Sequence, residues 1–169
     1  DAPETRLSAL QVMADRLEWP AMPSCVTSTV PERLADPDPF VRRAAADALG
    51  RHPSSDNLAP LLACWAAAPA DDTHLIHTVR MALRDQLLAP GVFATAREFS
   101  NRDADAAARL ADVSLGARTP ESAAFVLEYL TRPEVPRARL EEFLHHAARY
   151  VAEEQLGSVY AFAEVFMSA

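Results

Sequence analysis

Apolar residues recur along this chain every three or four positions, the spacing of one helix face. They do not alternate convincingly at period two, so essentially no sheet is expected. Leu7, Leu10, Met13, Ala14 and Leu17 form the first stripe, broken by Trp19-Pro20 and Met22-Pro23. Residues 24–35 carry Val26, Val30 and Leu34 with Pro31 among them, which predicts a short or kinked helix. Asp38-Pro39 then reads as a capping side chain followed by proline at the first helical position, where its missing N–H costs nothing. That helix is expected to bury Phe40, Val41, Ala44, Ala45, Ala48 and Leu49 and to end near Gly50. Ser54, Ser55 and Asp56 open the next, with Leu58, Leu61, Leu62 and Trp65 on one face. After the turn Pro69-Ala70-Asp71-Asp72, another carries Leu75, Ile76, Val79, Ala82, Leu83 and Leu87, closed by Pro90-Gly91.

The second half continues in the same idiom. A short apolar run over 91–99 holds Val92, Phe93 and Phe99. Asn101 or Asp103 opens a helix with Ala107, Leu110, Val113 and Leu115, ended by Gly116. Thr119-Pro120-Glu121 combines a capping hydroxyl, a first-position proline and a first-turn acid, and starts a helix burying Ala123, Val126, Leu127 and Leu130. Leu140, Phe143, Leu144, Ala147 and Val151 form another stripe, and Leu156, Val159, Tyr160, Ala163 and Phe166 the last. About eight or nine helices are expected, joined by short turns.

Two of these helices repeat each other. Moving down the chain by 34 positions carries Asp38 onto Asp72, Val41 onto Leu75, Ala45 onto Val79, Ala48 onto Ala82 and Leu49 onto Leu83. A cap and four apolar positions recur in step, as in stacked helix pairs, where each pair buries its stripe on the next.

Composition sharpens this picture. Half of the 169 residues are apolar but only 7% are aromatic, so the core is mostly Ala and Leu, suited to close helix packing. Thirteen prolines and four glycines fit many helices and stiff turns. A net charge of −8 with no basic stripe argues against a nucleic-acid partner, whose phosphates dominate such binding. No apolar stretch reaches the ~20 residues needed to span a bilayer, so no membrane insertion is expected. The sequence starts at Asp1 without Met, and residues 1–169 are expected to be a single helical repeat domain excised from a longer chain.

The run Leu34-Ala-Asp-Pro-Asp-Pro-Phe-Val-Arg-Arg-Ala-Ala-Ala-Asp-Ala-Leu-Gly50 resembles the second half of a HEAT repeat, with Asp38, Val41, Arg42, Ala45 and Leu49 on the family's pattern. The second copy keeps Asp72 but has Ile76 where the arginine would stand. The resemblance covers about residues 30–90 and implies an all-α, HEAT-like α-α superhelix of stacked antiparallel helix pairs. It implies a non-catalytic protein-interaction or spacer scaffold with protein partners, either another chain or the neighbouring domains of the parent. More narrowly, Asp71–Leu83, Leu110–Gly116 and Phe143–Tyr150 are similar to HEAT segments of large planctomycete-type bacterial proteins that join a dehydrogenase-like propeller to a haem-binding cytochrome c domain. That likeness implies a periplasmic or extracellular parent. This chain has no CxxCH, so haem would sit elsewhere, and no cofactor is expected in this segment.

Candidate chemistry is sparse. His74 and His77, three apart, share a helix face but lack a third ligand at any fixed spacing, and the adjacent His145 and His146 point about 100° apart. Cys25 and Cys64 stand in no CxxC and are read as small buried thiols. Glu141-Glu142 and Glu153-Glu154 read as solvated faces, and no glycine-rich phosphate loop exists. No catalytic or metal-binding residue is therefore assigned. A second reading, a tetrapyrrole or other small-molecule carrier or lyase, needs an aromatic pocket, for which Trp19, Trp65, Tyr150 and Tyr160 are the available residues. The remaining feature is a strip formed by Arg42, Arg43, His77, Arg80 and Arg84 along the repeated helices. It is either a docking edge for an acidic peptide or domain, or a row of arginines paired with nearby Asp and Glu.

Overall fold

The computed structural model describes residues 2–16 and 24–167, with backbone alone for 24–27, 166 and 167. Leu17, Trp19, Pro20, Met22 and Pro23 lie outside the described residues, and so does the Cys25 side chain. The described chain is all-α, with ten α-helices, four 3-10 turns and no strand among the described residues. Its contacts fall into two compact units, residues 1–89 and 90–169.

The first unit holds α1 (Pro3–Asp15), α2 (Ser24–Glu32), α3 (Pro39–Arg51), α4 (Leu58–Ala67) and α5 (Thr73–Leu87). Helices α1, α3 and α5 pack side by side, α2 packs on α3, and α4 on α5. These are the stacked pairs α2–α3 and α4–α5. The 34-residue register is visible in the core: Val41, Ala45, Ala48 and Leu49 on α3 and Leu75, Val79, Ala82 and Leu83 on α5 are all buried. Both caps form as the sequence predicts. Asp38 accepts from the N–H groups of Phe40 and Val41, and Asp72 from that of Leu75.

Two expectations in this unit are corrected. Gly50 does not end α3; the helix runs through it to Arg51. Its role is steric, because a Cβ there would lie 3.2 Å from the Ala82 Cα on α5. Alanine at 50 should be nearly neutral, its gain in helix propensity of about 1 kcal/mol offsetting the squeeze. Valine should destabilise by about 1–3 kcal/mol through overpacking, read as a lower urea midpoint. Phe40 is not core but 61% exposed, with the Arg43 guanidinium 5.4 Å over its ring. It sits in the first turn of α3 beside the wholly buried Val41, off the face formed by Val41, Ala45, Ala48 and Leu49.

The second unit holds α6 (Val92–Arg102), α7 (Ala104–Ser114), α8 (Pro120–Leu130), α9 (Leu140–Tyr150) and α10 (Leu156–Met167). Gly91, at φ 79°, takes the left-handed conformation that precedes α6. Asp103, rather than Asn101, caps α7, and Thr119 with Ser122 closes a capping box on α8. Consecutive helices pack in order, most closely α8 on α9. The Tyr129 and Phe143 rings meet edge to face at 5.4 Å between them. Arg139 bridges to Asp112 on α7 at 2.9 Å and to Glu142 on α9 at 2.7 Å. The stripe expected on α10 is mostly uncovered. Val159 is buried and Ala163 partly so, while Leu156 and Tyr160 are exposed.

Candidate functional site

The polar chemistry of the first unit is organised by two carboxylates that precede helices. Asp36, just before α3, is buried, and Arg6 on α1 grips it with Nε at 2.8 Å and a terminal nitrogen at 2.9 Å. Asp72, before α5, receives Arg43 from α3 at 3.0 Å, with Arg42 at 3.7 Å. The same device thus ties α1 to α3 and α3 to α5, each pair reaching across to the next helix of the stack. Arg42 also donates to the carbonyls of Asp36 and Pro37 at 2.9 and 3.1 Å.

Both carboxyls are held below the usual carboxylate value, Asp36 first by its hydrogen bond from Arg6, Asp72 first by the Leu75 N–H it caps. A depressed folded-state pKa stabilises above the unfolded value and the benefit is lost as pH falls through the folded one. The first unit should therefore keep the Asp36 contribution above about pH 4 and lose it on further acidification. In the Asn variant of Asp36, urea midpoints should be lower at neutral pH and should fall less between about pH 5 and pH 3 than in the parent.

The strip read from sequence is accordingly a mixed set. Arg42 and Arg43 are engaged on Asp72, and Arg84 lies 2.5 Å from its neighbour Asp85. Arg80 lies over the Trp65 ring at 5.7 Å, and His77 is exposed on α5. All five belong to α3 and α5, and Arg42, Arg43 and Arg84 have carboxylate partners of their own. His74 is exposed beside His77, and no group of three or more metal-binding side chains exists among the described residues.

A groove of about 650 Å³ lies between the end of α2 with its following turn and α4, with Arg42 of the strip in its lining. Pro31 and Leu34 form one wall; Pro60, Ala63, Cys64 and Ala67, at helical spacing, form the other. It arises because α4 presents small residues where a larger side chain would close the gap. Its floor offers little hydrogen bonding, since Arg42 and Asp36 are already committed and the Cys64 thiol points at the Leu34 carbonyl at 3.7 Å. Burial pushes the Cys64 thiol up, away from the thiolate a nucleophile needs. The groove is an apolar concavity of ligand-sized volume. Sequence reasoning missed it, because Pro60, Ala63 and Ala67 are ordinary helix-surface residues until a second wall stands opposite them.

Trp65, Tyr150 and Tyr160, the described aromatics named for a tetrapyrrole pocket, do not line this groove or the smaller one beside α1. Trp65 is half-buried in the first unit, Tyr150 half-buried and Tyr160 66% exposed in the second, and Trp19 lies outside the described residues. Two buried polar clusters also escaped the sequence reading: Gln86 with Ser54 and Asn57, and Ser122 with His146. A signal for the second existed, since Phe143, His146, Ala147 and Tyr150 form an i, i+3, i+4, i+7 stripe that points His146 inward and leaves His145 in solvent.

Residues 1–84 match the family model for HEAT repeats. No curated protein and no solved structure matches the chain. No helix among the described residues is long and apolar enough to cross a membrane.

Proposed function

We propose that the chain, whose residues 1–84 match the family model for HEAT repeats, is a non-catalytic protein-interaction scaffold or spacer of a larger bacterial protein. It docks a protein segment through an aliphatic or aromatic side chain seated in the groove between α2 and α4. The observation that carries this reading is the groove itself, ligand-sized and apolar, with its floor polar groups already paired inside the protein. An occupant there gains by burying apolar surface and needs no hydrogen bonds from the floor. The strip of Arg42, Arg43, His77, Arg80 and Arg84 contributes less under this reading, because recruiting Arg42 and Arg43 to an acidic partner means breaking their contacts with Asp72.

A photo-reactive phenylalanine analogue placed at Ala67 in the full-length native parent tests this. Cross-links that converge on one polypeptide segment, and that vanish when Ala63→Arg fills the groove, are the expected outcome. Cross-links scattered over many segments, or unchanged by that substitution, would overturn it. The carrier reading is separated by titrating tetrapyrroles: a saturable absorbance change that the same substitution abolishes favours it. The narrower redox-parent reading is tested by the parent's pyridine haemochrome spectrum, where absence of a covalent-haem signature would remove it.

A further inference from the structure

The tightest packing in the second unit, α8 on α9, is built around a buried histidine that the scaffold reading does not use. His146 on α9 is 7% exposed, and its ring lies 5.0 Å from that of Tyr150. Opposite it stands Ser122, wholly buried at the third position of α8, its hydroxyl 3.0 Å from His146 Nε2. The Ser122 oxygen accepts the Thr119 N–H at 3.3 Å, and its one proton has the carbonyls of Ala117 and Thr119 (2.8 Å) as acceptors. With a carbonyl taking that proton, the tautomer that satisfies both groups carries its hydrogen on Nε2 and donates it to the Ser122 oxygen. The neutral ring therefore already makes this contact. A second proton, on Nδ1, brings a charge into the interface and adds no bond to Ser122.

Among the described residues, burial is what acts on the ring, and no charged partner is recorded against it. From α8, the titratable group on the interface is Tyr129, neutral and pushed further up by burial. On α9, Glu142 is paired with Arg139, and the Arg149 guanidinium lies 5.6 Å over the Tyr150 ring that His146 also touches. Arg139, from the turn before α9, is turned to Asp112 and Glu142, and Tyr160 on α10 faces solvent. Glu121, Glu141, Glu153 and Glu154 are exposed. Burial is the cause that holds His146 below its ordinary 6.5.

We propose that the α8–α9 contact is an acid-released joint: proton uptake at Nδ1 of His146 expels the ring from between Ser122 and Tyr150 and lets α9 open off α8. The sign follows from linkage. With the folded value depressed, the joint keeps its full strength above about pH 6.5 and weakens as pH falls through the folded value. Each unit of depression corresponds to about a tenfold loss in the closed-to-open ratio once pH is below both values.

Amide-exchange protection across residues 120–150 of the full chain, corrected for the intrinsic pH dependence of exchange, is the direct readout. Between about pH 7.5 and pH 5 it should fall severalfold in the parent and in His145→Gln, and stay level in His146→Phe. His52, the other buried histidine, belongs to the first unit and does not report in this window of the chain. The His146 ring signal, assigned in the folded parent by comparison with His146→Gln, supplies a second reading that does not depend on the phenylalanine variant folding. Titration at or above 6.5, or protection that falls equally in His145→Gln and His146→Phe, would overturn the proposal.

Discussion

Replacing Gln86 by leucine should cost the first unit roughly 2–5 kcal/mol, although leucine is close in size and more apolar. Gln86 is wholly buried on α5 and uses every position of its amide. Its oxygen accepts from the Ser54 N–H at 2.7 Å and from the Asn57 side chain at 3.0 Å. Its nitrogen donates to the carbonyls of Leu49 at 2.9 Å and Ala82 at 3.1 Å. One side chain thereby fastens the end of α3, the loop leading to α4, and α5. Leucine leaves the Ser54 N–H and one Asn57 proton facing a methyl group, and each buried donor without a partner costs about 1–3 kcal/mol. The Leu49 and Ala82 carbonyls suffer less, since Leu49 still accepts from the His52 N–H at 3.2 Å. Glutamate should be no better, because it sets an anion against two carbonyls. Equilibrium urea unfolding decides it; a leucine variant within about 0.5 kcal/mol of the parent would show that the loop refolds around the loss.

Truncating Leu83 to alanine should be comparably severe, about 2–5 kcal/mol. Leu83 is 0% exposed on the face of α5 that packs against α3. The neighbouring face is already built of small residues, among them Ala45, Ala48 and Gly50, so little side chain is available to collapse into the vacated space. Leu88→Ala, at a position 50% exposed one residue past the end of α5, is the matched control and should change stability by less than about 0.5 kcal/mol. Equal effects at the two positions would mean that the repeat interface is not where the first unit derives its stability.

Local rules were legible one residue at a time. The caps Asp38, Asp72, Asp103 and Thr119, the first-position prolines 39 and 120, and the short α2 with Pro31 inside it are all where backbone chemistry puts them. The 34-residue register was legible as well, because burial on a helix follows its own period: the four apolar pairs from Val41/Leu75 to Leu49/Leu83 are all core. What a residue does across a gap was not. Gly50 looks like a helix end until Ala82 is seen against it, and Phe40 looks like core until its side of α3 is found in solvent.

The candidate site divides along the same line. Sequence placed Arg42 and Arg43 on one edge, but their engagement with Asp72, some 30 residues away, depends on how two helices stack, which a one-dimensional pattern does not carry. The groove needs α2 and α4 to stand apart, and the Gln86 and Ser122–His146 clusters need hydrogen-bond partners drawn from distant segments. Helix positions, caps and the repeat follow from interactions within about four residues along the chain, so the sequence specifies them directly. Grooves, ion pairs and buried polar clusters are properties of the space between helices, and only packing determines what faces what.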